Sequence, residues 1–257
     1  VSWSWSVAAA VVVFAAAMIG GNASGRPALA VAVGFVQAGF LAGWLLSFAA
    51  TIDAAVLAVV AVAVADVVWL RTRTATGGSI AGVIGLAVIG VLFHQLARRD
   101  PRGVTAAVAM TLSAIVLGAA PGLLIPLREL PPGRSAAFIA LLASGAALVA
   151  ARLPVGPDPV RRVLGLVVGI AAALGCGAAK GGLTTGHAVA LGACCVVTVL
   201  LADRLVVRIA ADRAPAPDQP PGTALLLSEV MVAAIVPLAL MCPVAYLVGR
   251  VIAPSAG

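Results

Sequence analysis

The sequence predicts an all-α fold, a polytopic integral membrane helical bundle, and three observations carry that prediction. Of 257 residues, 63% are hydrophobic and only 10% are charged, against roughly 45–50% and 25% in an ordinary soluble domain. Apolar runs long enough for a helix to cross a hydrocarbon core of about 30 Å recur along the chain, separated by short clusters of Pro, Gly and Arg. The period-2 alternation of a membrane barrel is absent, and lipid offers the backbone no hydrogen-bond partners, which leaves helices as the spanning structure.

About nine spans follow in order, in a single transmembrane domain over residues 1–257. The first covers 5–20, with Trp3 and Trp5 as aromatic anchors at its mouth. It lacks a basic leading segment and a cleavage site, so it reads as a span rather than a signal peptide. The second, 28–50, carries Gly34, Gly39 and Gly43, small residues that let a neighbouring helix approach. The third, 52–70, ends at Arg71 and Arg73, and the fourth, 79–96, is closed by the basic turn ARRDPRG (97–103). The fifth, 104–127, holds Pro121 and Gly122 near its far end, where the missing proline N–H should bend or break the last turns. RELPPGRS (128–135) leads to the sixth, 136–151; RLPVGPDPVRR (152–162) to the seventh, 163–179; and KGGLTTG (180–186) to the eighth, 187–202. The polar stretch that follows reads either as an active-site loop or as a solvated connector. It leads to the ninth span, 223–251, with Pro237 and Pro243 as expected kinks.

The net charge of +7 would suggest nucleic acid in a soluble protein, but here the basic residues stand at the ends of apolar runs as anchors and topology signals. Membrane lipids rather than nucleic acid are the expected partners. On alternating sides the spans place Arg98, Arg99, Arg102, Arg152, Arg161, Arg162, Arg204, Arg208 and Arg213 against Arg26, Arg71, Arg73, Arg128, Arg134, Lys180 and Arg250. The first set is the larger and denser, which puts it and the N-terminus in the cytoplasm. Basic residues that are almost all Arg, together with abundant Ala, Val and Gly, suggest a bacterial inner membrane. The four cysteines lie inside apolar runs without metal-ligand spacing and read as small buried or lipid-facing residues.

Few residues suggest chemistry. Asp66 is an intramembrane ionisable group, which marks it as a candidate ion or proton site, although it could equally meet Arg71 and Arg73 at the interface. Asp53 stands near a span start, where a carboxylate suits the helix N-terminus. His94 and His187 are isolated imidazoles with no second ligand at helical spacing. No nucleophile elbow, P-loop or dinucleotide fingerprint is present. DPVRR (158–162) sets Arg161 and Arg162 at a helix start beside Asp158, a pattern that serves either phosphate binding or interfacial anchoring. Asp203, Asp212 and Asp218 lie among Arg204, Arg208 and Arg213 in the polar stretch.

In order, these segments resemble the signature regions of the phosphatidate cytidylyltransferases, integral membrane enzymes that make CDP-diacylglycerol from CTP and phosphatidic acid. Where that family opens a late span with Ser-Pro-Lys-Lys-Thr-Trp-Glu-Gly, this chain has DPVRRVLG (158–165); Pro159, Arg161 and Gly165 fit, and Val163 and Leu164 replace the aromatic and acidic positions. Where the family has Gly-Asp-Leu-x-Glu-Ser, ADRLVV (202–207) keeps only Asp203. Its Pro-Gly-His-Gly-Gly followed by Asp-Arg and a further Asp becomes PGTALLLSEVM (221–231), with Thr223 for His, Ser228 and Glu229 for Asp-Arg, and Met231 for the last Asp. The resemblance covers about 97–252.

The family binds divalent metal through these acids, and a metal clamp needs several converging carboxylates. With Asp203 alone retained, the resemblance implies a catalytically degenerate relative with no catalytic residue, metal or other cofactor. Its expected role is that of a structural or regulatory subunit with a membrane-protein partner or a second copy of itself. Asp158, Arg161, Arg162, Asp203, Arg208 and Asp212 are its candidate phosphate or lipid-headgroup residues. One alternative is an active magnesium-dependent lipid-nucleotide transferase rebuilt from the same groups; another is a transporter or flippase working through Asp66.

Overall fold

The computed structural model describes residues 2–48, 52–71, 77–96, 104–180, 183–212 and 223–252. Arg73, Arg98, Arg99, Arg102, Arg213 and Asp218 lie outside the described residues, as do the side chains of Asp53, Lys180, Asp212 and Thr223. The helices are α1 (Ser2–Ser24), α2 (Arg26–Ser47), α3 (Ile52–Arg71), α4 (Gly77–Leu96), α5 (Val104–Ala119), α6 (Leu124–Glu129), α7 (Gly133–Arg152), α8 (Asp158–Lys180), α9 (Thr185–Asp212) and α10 (Thr223–Ile252). Eight segments of the described chain are long and apolar enough to cross a membrane, with α5, a 3-10 turn and α6 counting as one over Val104–Glu129. The described apolar stretch of α4, Gly82–His94, is shorter than these eight. The protein is a multi-pass helical membrane protein.

α10 runs through the middle of the bundle and packs on α9, α2, α1 and α7. α7, α8 and α9 pack on one another on one side, and α3, α4 and α5 form a second layer on the other. The composition of α7 explains its central place. Ala143, Ser144 and Ala147 are fully buried, and these small side chains let α8 come within backbone distance. A Cβ on Gly165 would stand 2.7 Å from the Ala147 carbonyl oxygen, and one on Gly169 would stand 3.0 Å from that of Ala143. Without a hydrophobic drive between helices in lipid, such close packing is a principal source of association. Of the three α2 glycines expected to admit a neighbour, Gly39 meets Phe14 and Ile235 and Gly43 meets Met231, whereas Gly34 faces open space.

Pro121 and Gly122 do interrupt their span: α5 gives way to a 3-10 turn over Ala120–Leu123 before α6 resumes. Pro237 and Pro243 both lie inside an unbroken α10. The sequence placed the end of the eighth span at residue 202, whereas α9 continues to Asp212. Past the first charges Val206 still packs against the core, and Leu205 and Ile209 line a groove shared with α10, so the helix keeps an apolar side to continue on. At 28 residues α9 is about 42 Å long, roughly 12 Å more than the hydrocarbon core. Asp203, Arg204 and Arg208 thus stand on a helix that projects into the interface.

At the opposite end the basic residues close the bundle. Arg26, opening α2, donates to the carbonyls of Trp69 (3.2 Å) and Leu70 (2.8 Å) at the end of α3, and lies 3.8 Å from Glu129. Arg134 donates to the carbonyl of Ala23 (2.8 Å), Arg128 to that of Asn22 (3.3 Å), and the Asn22 amide donates to the carbonyl of Arg134 (3.0 Å). Carbonyls at the last turn of a helix lack intrahelical donors and carry the negative end of its dipole, and a guanidinium answers both needs.

Candidate functional site

The C-terminal end of α7, the N-terminal end of α8 and the projecting part of α9 enclose a polar cavity of about 200 Å³, with Ser4 of α1 at its edge. Local sequence explains the meeting. Gly156, at φ 71°, supplies the left-handed backbone that lets the chain reverse between Arg152 and Asp158, a conformation glycine adopts without steric cost. α8 then starts on Asp158, whose carboxylate suits the positive end of the helix dipole. Arg161 and Arg162, one turn on, fold back onto it: Arg161 forms an ion pair with Asp158, and Arg162 lies 3.6 Å from its other oxygen.

The deepest element is the ion pair between Arg152 and Asp203, whose side chains are 7% and 15% exposed. Asp203 is held well inside α9, and Arg152 neutralises it from the last turn of α7. The cavity therefore gathers Arg152, Arg161 and Arg162 with Asp158 and Asp203. Among the described residues, three guanidiniums against two carboxylates leave one net positive charge, and the Arg161 Nε is buried without a hydrogen-bond partner. Such a set suits a phosphate oxyanion, which guanidiniums bind through paired N–H donors. It does not fit a divalent cation, which would face a positive cavity whose two carboxylates are each already held by an arginine.

Four of the six headgroup candidates, Asp158, Arg161, Arg162 and Asp203, thus come together in one site. Arg208 is exposed on α9 and does not line the cavity, and the side chain of Asp212 lies outside the described residues. Arg152, which the sequence marks only as an interfacial charge, turns out to hold the single retained acid. Its proximity to Asp203 depends on the direct packing of α7 on α9, which residue spacing alone does not reveal.

Beside the polar cavity runs an apolar groove of about 500 Å³ between α1, α7 and α8. Ala150 and Leu153 line it on either side of the Ala151 and Arg152 that line the polar cavity, and Leu164 lies one turn beyond Arg161. Along α1 the groove continues through Val12 and Ala16 to Ile19, into the membrane-spanning part of the helix.

Asp66 lies elsewhere. Its Oδ1 accepts a 3.0 Å hydrogen bond from Nε2 of Gln37, a buried amide in the middle of α2. No described ion pair joins it to Arg71. The 3-10 break packs directly on this cluster, since a Cβ on Gly122 would stand 2.7 Å from the Trp69 indole nitrogen and 2.9 Å from Asp66 Oδ1. A lone amide in an otherwise apolar second span was visible in the sequence as Gln37; its pairing with Asp66 was not.

His187 is exposed in the first turn of α9, where its backbone N–H donates to Thr184 Oγ1 at 3.3 Å. This is an N-cap contact rather than a metal-ligand one. Cys195 and Cys242 are buried, Cys194 is exposed and Cys176 is half-buried. Among the described residues no three His, Cys, Asp or Glu side chains gather as a metal-ligand set. Comparison with family models, with curated proteins and with solved structures returned no match to the chain.

Proposed function

We propose that the protein is a catalytically degenerate relative of the phosphatidate cytidylyltransferases that holds a phosphate-bearing lipid and serves as a structural or regulatory subunit of a bacterial inner-membrane assembly. The observation that carries this reading is the adjacency of the arginine cavity and the α1–α7–α8 groove. Charged donors at the interface and an apolar trough running toward the bilayer interior match the two parts of an anionic phospholipid. The ion pair of Asp203 with Arg152 supports the loss of catalysis, because the one acid the family pattern retains is engaged with a buried guanidinium. The density of arginines at this end supports a cytoplasmic orientation for it.

Purified protein retained on native mass spectrometry from mild detergent should carry phosphatidic acid in preference to phosphatidylcholine. Incubation with CTP, phosphatidic acid and magnesium should yield no CDP-lipid above an Asp203→Asn control. Equal retention of the two lipids would remove the lipid-binding reading. A second reading, an active lipid-nucleotide transferase, is favoured by the convergence of Asp158, Arg161, Arg162 and Asp203 in one cavity, and CDP-lipid formation that depends on Asp203 would establish it.

A further inference from the structure

A second cavity opens at the same end of the bundle, on another face of α9. It is a groove of about 280 Å³ walled by the ends of α2, α9 and α10, with Leu117 of α5 at its base. Its chemistry is graded. Leu117, Val236 and Leu240 line one part, while Ser47, Phe48 and Glu229 line the other. Among the described residues Glu229 is the one charged residue in its lining, and it forms no ion pair with another of them.

Two features prepare this groove for a cation. The rings of Trp44 and Phe48 lie 4.5 Å apart at 37°, and the Trp44 indole N–H is fixed on the Met110 carbonyl at 3.3 Å. Trp44 also packs on Phe40, 5.4 Å away, and with Phe48 it supplies the aromatic part of the groove's lining, the kind of surface that attracts a cation. α2 can bring these rings beside α10 because position 43 is glycine; a Cβ there would stand 2.8 Å from that of Met231. Depth supplies the rest. At 30 residues α10 is about 45 Å long, well over the hydrocarbon thickness, so Glu229 in its second turn stands at headgroup level. Val236 and Leu240 lie two and three turns further in.

We propose that this groove binds a lipid with a primary ammonium head, the ammonium accepted by the Glu229 carboxylate against the Trp44 and Phe48 rings, with an acyl chain along Leu117, Val236 and Leu240. An unpaired carboxylate on an apolar wall is costly to desolvate, and an ammonium that both neutralises it and donates hydrogen bonds removes that cost. The arginine cavity on the neighbouring face has the opposite net charge and suits a phosphate rather than an ammonium, so the two sites favour different groups. The inference is independent of the degenerate-transferase reading.

The test uses the full chain in phosphatidylglycerol vesicles with increasing mole fractions of tail-brominated phosphatidylethanolamine, whose bromines quench nearby indoles. The Trp44 signal is isolated by subtracting the Trp44→Phe variant. Half-quenching at a mole fraction at least fivefold below random mixing is expected, with tail-brominated phosphatidylglycerol showing only random mixing. Glu229→Gln should abolish the preference, and Val236→Phe, which fills the trough without touching the carboxylate, should abolish it too. Arg161→Ala with Arg162→Ala should leave it intact. Equal quenching by the two lipids in the wild type, or an unchanged preference in Glu229→Gln, overturns the proposal. So does a loss of self-association in Glu229→Gln with lipid quenching unaltered, which would assign the carboxylate to a basic side chain of a second copy.

Discussion

Arginines crowd both ends of this bundle, yet they meet different partners. At one end Arg26, Arg128 and Arg134 donate to backbone carbonyls at the ends of α1 and α3. At the other, Arg152, Arg161 and Arg162 face one another across a cavity in the company of two carboxylates. A guanidinium on a helix terminus completes hydrogen bonding that the fold itself requires. One on a cavity wall answers to whatever enters. Residue type and position at a span end are common to both groups, so neither separates them; their partners do. Asp66 extends the comparison into the membrane, where among the described residues a carboxylate is matched by the neutral amide of Gln37 rather than by a cation.

Breaking the buried member of the cavity group should have the largest effect. Arg152→Ala strands Asp203 without its counter-ion, and equilibrium unfolding in mixed micelles should show a loss of about 3–5 kcal/mol. Replacing both residues by leucine should recover most of it. If Arg152→Ala were as stable as the wild type, the buried pair would not be what joins α7 to α9.

Next in size, Arg26→Ala removes charged hydrogen bonds to two carbonyls. About 1.5–3 kcal/mol should disappear from the same unfolding curve, with phosphatidic acid retention unaltered. The converse belongs to Arg161→Ala with Arg162→Ala. Stability should change by no more than about 1 kcal/mol, since these ion pairs are solvent-screened, while phosphatidic acid affinity falls about tenfold, equivalent to roughly 1.4 kcal/mol. A double variant that lost stability and kept the lipid would place these two arginines with the anchors at the other end.

The smallest effect is expected within the membrane. Gln37→Leu removes one interhelical hydrogen bond, of a kind that averages about 0.6 kcal/mol in a membrane protein. A loss several times larger would show that Asp66 carries its charge in this site and depends on the amide to keep it.

Composition and hydropathy alone determined that the chain is a multi-pass helical membrane protein, because a bilayer permits little else to a sequence this apolar. They also located the interruption at Pro121 and Gly122, where a missing N–H acts through its own neighbours in the chain. The end of α9 was not legible in the same way. Asp203 and Arg204 look like the start of a loop until Leu205, Val206 and Ile209 are seen to line a groove shared with α10. The pairing of Arg152 with Asp203, the bond from Gln37 to Asp66, and the placing of Glu229 in one groove with Trp44 and Phe48 were decided by tertiary structure. Each joins residues on different helices, and their meeting depends on which small residues let those helices close together and on how each helix is rotated about its axis. Local sequence fixes a residue's place along its helix, but packing fixes what it faces.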